Sequence, residues 1–170
     1  MFFLQEWETT PEFFVSSDAA GNAGYCAVYN NEWFAGEWPE PAKSVNIAVK
    51  DFIPIVIATN IWGPSWFRRR VAFKCDNIAV VHCIRKGLCK DRHLAFLLRE
   101  LSIVAITSDF LFTSSHVTSK EKYQADALSR LKFQDCRSAI PSITHCPRDV
   151  PQDLLMRLVS PPWMQNGNRF

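Results

Sequence analysis

The chain has 170 residues, 48% of them apolar and 21% charged, with a formal net charge of +2. That is enough for one domain with a real core, and the balance excludes a disordered polymer and a small secreted disulfide scaffold. The longest apolar stretch, FIPIVIATNIW at 52–62, is too short to span a bilayer, and the acidic start MFFLQEWETT is no signal peptide, so a cytoplasmic or nuclear address is expected.

Residues 1–12 read as a lead-in. Three extended stretches follow in close succession, FFVSSDA, GYCAVYN and EWFAGEW, separated by the turn-forming AGN and NNE. They predict an antiparallel meander. After the loop PEPAKS, residues 46–63 read as a helix ending at Gly63, with Pro54 tolerable in a first turn or as a kink. RVAFKCD is a fourth strand, and NIAVVHCIRKG is a short helix stopped by Gly87. Apolar residues at 94, 97, 98, 101, 104 and 105 stripe a helix over 93–109. FLFTSSH is a fifth strand ending at His116, and KYQADALSRL is a last helix. The order is βββαβααβα. From Lys132 onward, Pro, Ser and Cys scattered among charges read as a linker or poorly ordered tail, which leaves 13–131 as the domain.

Charge is unevenly spread. Residues 1–66 hold eight acids against two bases, and residues 67–170 hold nine acids against seventeen. Arg68, Arg69 and Arg70, with Arg85, Lys86, Lys90 and Arg92, form either a polyanion-binding face or a solvated surface. The six cysteines contain no CxxC pair. Cys83 and Cys89 with His82 or His93 match no common zinc spacing, so free and mostly buried thiols are expected.

Four acids stand beside apolar segments. Asp18 ends the first strand, Asp51 lies early on the first long helix, Asp76 ends the fourth strand and Asp126 is in the last helix. Taken singly, each reads equally as a turn, cap or helix-surface residue. Acids are rarely buried unless paired, so four of them together suggest a shared hard cation. Magnesium takes oxygen ligands, and a two-ion site stabilises the attacking and leaving oxygens of phosphodiester cleavage.

In order, the segments SDAAGNAGYCAVYNNEWFAGEW, IAVKDFIPIVIATNIWG, VAFKCDNIAVV and SHVTSKEKYQADALSR resemble the ribonuclease H domain of retrotransposon polyproteins, closest to DIRS-like (tyrosine-recombinase) reverse transcriptase/RNase H. The likeness covers roughly 13–131. It implies an RNase H-like α/β fold, with a five-stranded mixed sheet (three antiparallel strands, then two parallel) flanked by helices. It also implies metal-dependent cleavage of the RNA strand in RNA–DNA hybrids by a hydrolase holding two Mg2+ (or Mn2+) ions. On the matching positions, Asp18, Asp51, Asp76 and Asp126 would be the catalytic metal ligands, and His116 would assist proton transfer or product release. Asn77 would contact a 2′-hydroxyl or merely cap its helix. Arg68, Arg69, Arg70, Arg85 and Lys86 would grip phosphates. The implied partners are an RNA–DNA hybrid, an upstream reverse transcriptase domain and a downstream recombinase.

Two departures from the family pattern are visible. Asp51 stands where the family carries Glu, which shortens the reach by one C–C bond, about 1.5 Å. The histidine loop HVTSKEKYQAD lacks the usual Pro, Gly and Asn. Both favour an alternative, a catalytically impaired domain that keeps the fold and binds nucleic acid or packs against a polymerase.

Overall fold

The computed structural model describes residues 11–118, 123–130 and 147–165. The lead-in at 1–10, residues 119–122 of the histidine loop and the stretch 131–146 lie outside the described residues. The expected order of elements is observed. Strands β1 (Phe13–Ala20), β2 (Gly24–Tyr29) and β3 (Glu32–Glu37) form the antiparallel meander. Helix α1 (Ile47–Trp62) leads to β4 (Arg70–Cys75), which pairs parallel with β1. Helices α2 (Ile78–Lys86) and α3 (Arg92–Thr107) precede β5 (Leu111–His116), which pairs parallel with β4. The sheet order is β3-β2-β1-β4-β5, and α4 (Tyr123–Ser129) packs over β1, β2 and β3.

Helix α1 is the centre of the fold. Asn46 caps it by accepting from the Ala48 amide at 2.8 Å. Its sequence is apolar on every side, the signature of a helix with no solvent face. Residues from Val49 to Thr59 are buried accordingly, between the sheet, α3 and a later helix. Pro54 sits well inside the helix and gives no N–H to the Lys50 carbonyl, so the helix carries it in mid-course rather than in its first turn. Trp62, Trp66, Phe34, Tyr29 and Phe73 join it in one aromatic-rich core. Gly36 on β3 makes room for that core. A Cβ there would lie 2.7 Å from Cζ of Tyr25, a contact no side chain sustains.

A smaller cluster on the other face of the sheet consists of Cys26, Val28 and Trp33 under Ala125 and Leu128 of α4. Asp91 caps α3 through the Leu94 amide at 2.8 Å. Gly87 takes the left-handed conformation (φ 65°) that ends α2.

Two findings go beyond the sequence reading. Cys83 and Cys89 are joined by a disulfide with Cα atoms 5.2 Å apart, which corrects the expectation of free thiols for that pair. The turn at Gly87 brings the end of α2 back towards the loop before α3, so two cysteines six residues apart meet. Cys26 and Cys75 are buried, and the Cys26 thiol donates to the Ala125 carbonyl at 3.0 Å. Within the stretch read as linker or tail, α5 (Gln152–Val159) buries Leu154, Leu155, Leu158 and Val159 in the main core, and α6 (Pro162–Gln165) follows it. The segment before α5 is tied down by Arg148, whose amide donates to the Trp33 carbonyl at 2.7 Å and whose guanidinium pairs with Glu32 at 3.0 Å. Trp62 Nε1 donates to the same Glu32 carboxylate at 2.6 Å. Among the described residues, no helix is long and apolar enough to cross a membrane.

Candidate metal centre

The parallel register of β1 and β4 builds the site. Ser16 pairs with Lys74, and the same offset carried two residues further sets Asp18 beside Asp76, just past the last paired residues. Asp76 follows the last residue of β4, whereas Asp18, expected at the end of its strand, lies inside β1 and still pairs with Cys26 of β2, so both acids stand where β1 and β4 part. Asp51, one turn into α1, comes to the same place from the helical layer. Carboxylate oxygens of Asp18, Asp51 and Asp76 all lie within 4.8 Å of one another. Asp18 and Asp51 are buried, at 7% and 6% exposure, while Asp76 faces solvent. Three carboxylates this close repel one another, and an oxygen-seeking divalent cation offsets that repulsion. The donor set fits magnesium or manganese, and the open side at Asp76 leaves room for a further ligand.

The neighbours of the triad hold its members in place. Ser129, fully buried at the end of α4, donates its hydroxyl to Asp18 Oδ2 at 2.5 Å, in the range of a strong hydrogen bond to a charged acceptor. Asn77 is engaged at both ends of its amide. Its Oδ1 accepts from the Ala79 amide at 3.0 Å and caps α2, while its Nδ2 donates to Asp51 Oδ2 at 2.9 Å. His116 ends β5 opposite Cys75, and its Nε2 donates to the Asp76 carbonyl at 3.2 Å. Lys50, next to Asp51, is buried and donates to the Gly21 carbonyl at 2.9 Å and to Asn22 Oδ1 at 3.2 Å. Burial lowers its pKa. The contact pins the β1–β2 turn to α1 beside the acids.

Asp126 lies on α4 but stands apart from the triad. Its carboxylate is half-exposed and pairs with Arg130, Nε to Oδ1, at 3.0 Å across one helical turn. The hydrogen bond and charge of Asp126, and then the charge of Asp18, push the Arg130 pKa up from its ordinary value.

The basic residues separate into two places. Arg68, Arg69 and Arg70 lie at the start of β4, six residues before Asp76, or about 20 Å along the strand. They face local acids: Arg69 and Arg70 share Glu12 at 3.1 and 3.2 Å, and Arg68 approaches Asp109 at 3.6 Å. Arg85 and Lys86 are exposed in the last turn of α2, roughly 12 Å along the helix from Asn77. Sequence reasoning passed over Ser129 and Arg130, although both stand inside the quoted ADALSR. It also passed over the Asn77–Asp51 bond, which joins residues 26 apart and leaves no trace in spacing.

No family model matches the chain, and no curated protein matches it. Among solved structures it is similar to RNase H1 from the halophilic archaeon Halobacterium salinarum NRC-1, with a TM-score of 0.53 and 12% identity, covering 72% of this chain and 96% of that one. It is also similar to LC11-RNase H1 in complex with an RNA/DNA hybrid, with a TM-score of 0.56 and 14% identity, covering 69% and 93%. A third similar structure is the N-terminal RNase H domain of rv2228c from Mycobacterium tuberculosis, with a TM-score of 0.50 and 15% identity, covering 68% and 94%. At these identities the likeness establishes the fold, and the chain has the RNase H-like fold.

Proposed function

We propose that this chain is a retroelement-derived ribonuclease H-like domain that cleaves the RNA strand of RNA–DNA hybrids with divalent metal. The observation that carries the reading is the meeting of Asp18, Asp51 and Asp76 within 4.8 Å at the strand ends of an RNase H-like sheet. Support also comes from the order of the four sequence segments, which resemble DIRS-like reverse transcriptase/RNase H proteins. One structural neighbour, LC11-RNase H1, is itself in complex with an RNA/DNA hybrid.

In this reading Asp18, Asp51 and Asp76 would hold one magnesium or manganese ion, and Asp126 would contribute to a second. Such ions, when bound, would supply an activated water and stabilise the leaving 3′ oxygen. The remaining work is done by this chain's side chains. Ser129 fixes the Asp18 carboxylate, and Asn77 fixes Asp51, which lets the shorter acid serve where the family carries Glu. His116, exposed beside Asp76, is placed to move a proton at the edge of the site or to help product leave. Arg85 and Lys86, about 12 Å along α2 from Asn77, contact phosphates and add affinity without sequence preference. Arg68, Arg69 and Arg70 are given no such part, because they stand at the other end of β4 and are paired with acids there. The domain is taken as 13–131 together with the helices at 152–165 that complete its core. Its partners would be an RNA–DNA hybrid and, in a parent polyprotein of the cytoplasm or nucleus, a reverse transcriptase and a recombinase.

A second reading is favoured by Asp126, which pairs with Arg130 outside the triad. Here the domain binds the hybrid without cutting it. Incubation with a hybrid labelled on either strand, in magnesium or manganese, separates the two. Cuts confined to the RNA strand support a nuclease, and a retarded but intact hybrid supports a binding remnant.

A further inference from the structure

Arg130 stands in an unusual place for a cation. It follows directly on Ser129, whose hydroxyl bridges Asp18 Oδ2 and the Asp126 carbonyl at 2.5 and 2.9 Å. That bridge fixes the end of α4 against β1. From there the Arg130 side chain reaches back one turn to the Asp126 carboxylate. The last acid of the set is thus held by a guanidinium, while the other three acids face one another.

We propose that Arg130 is a built-in counter-cation, a positioning residue that competes with a divalent ion for Asp126 and so sets how much metal the second site needs. The proposal rests on the metal-centre reading of the acids. The pair is half-exposed, with Asp126 at 47% and Arg130 at 57%, so it opens at small cost and closes again when metal leaves. A direct consequence is asymmetry between the two ions. The triad binds first, and the Asp126 site fills only at concentrations that displace Arg130.

The test is a titration of the folded chain with Mn2+, following free ion by electron paramagnetic resonance, for wild type, Arg130→Gln, Arg130→Lys and Asp126→Asn. Exposed ion pairs of this kind are worth a factor of about two to five in an equilibrium constant. Arg130→Gln is expected to tighten the weaker Mn2+ site by that factor, and Arg130→Lys to return it towards wild type. In an Asp126→Asn background, Arg130→Gln is expected to change nothing, since the partner through which it acts is gone. Unchanged or weakened binding in Arg130→Gln would overturn the proposal. So would equal tightening in the Asp126→Asn background, which would mark a diffuse charge effect. A folded wild-type chain that binds no Mn2+ at all would overturn the metal-centre reading itself, and that result is distinct from a binding chain indifferent to Arg130.

Discussion

Asn77 donates its side-chain amide to Asp51 at 2.9 Å while its oxygen caps helix α2. One residue thus ties the end of β4, the start of α2 and an acid on α1. Its two bonds can be separated by substitution. Asn77→Ala loses both and is expected to cost about 1–2 kcal/mol in urea denaturation. Asn77→Asp keeps the cap but sets a fourth carboxylate beside three. It is expected to be destabilised at neutral pH and to regain stability when Mg2+ is added. Indifference of that variant to Mg2+ would argue against cation binding among these acids.

The Ser129–Asp18 bond is buried and its acceptor is charged. Ser129→Ala leaves the Asp18 carboxylate short of a donor in a place water reaches poorly. A loss of about 1–3 kcal/mol of stability is expected from denaturant midpoints. Weaker Mn2+ binding should accompany it, because the Asp18 carboxylate loses the Ser129 hydroxyl that helps hold it.

Leu158 is fully buried although it lies in a stretch that reads as tail. Its carbonyl accepts from His93 Nε2 at 2.6 Å, and Arg157 alongside it pairs with Glu100 on α3 at 2.5 Å. Leu158→Ala is expected to destabilise the whole domain by about 2–5 kcal/mol, in a single cooperative transition. A small effect, or a separate early transition, would show that α5 is an appendage rather than part of the core.

Alkaline pH probes the other side of α1. Burial pushes the Tyr25 pKa up from 10.0 to about 12. The folded state therefore holds that proton more tightly than the unfolded state does. Its contribution to stability is fully present below pH 10 and is lost as pH rises through about 12. Lys50 works in the opposite sense. Its lowered pKa makes its burial costly below that value, and the cost is relieved as pH climbs towards 10.5. Stability measured between pH 10 and 12 should fall in wild type and fall less in Tyr25→Phe.

Much of this was legible in the residues, and the failures have physical causes. Extended stretches bounded by turn residues marked the five strands, and the turn chemistry between the first three set the meander. The acids could be placed at element ends, but their meeting could not be derived. That depends on the parallel offset of β1 and β4, which is a property of the crossover rather than of either strand. Helix α5 was hidden by the Pro, Ser and Cys around it, although Leu154, Leu155, Leu158 and Val159 have the spacing of a buried helical face. The ion pairs of the arginines at 68–70 were not legible either. Glu12 and Asp109, which pair with them, are distant in sequence.

The central claim is that Asp18, Asp51 and Asp76 form a metal centre for cutting RNA paired with DNA. The most direct measurement is cleavage of a hybrid labelled on its RNA strand, with and without Mg2+ or Mn2+, by the wild-type chain and by Asp76→Asn. The account predicts metal-dependent cuts in the RNA strand that vanish in Asp76→Asn, with the DNA strand intact. A folded wild-type chain that leaves the hybrid whole in both metals, or cuts that persist in Asp76→Asn, would contradict it.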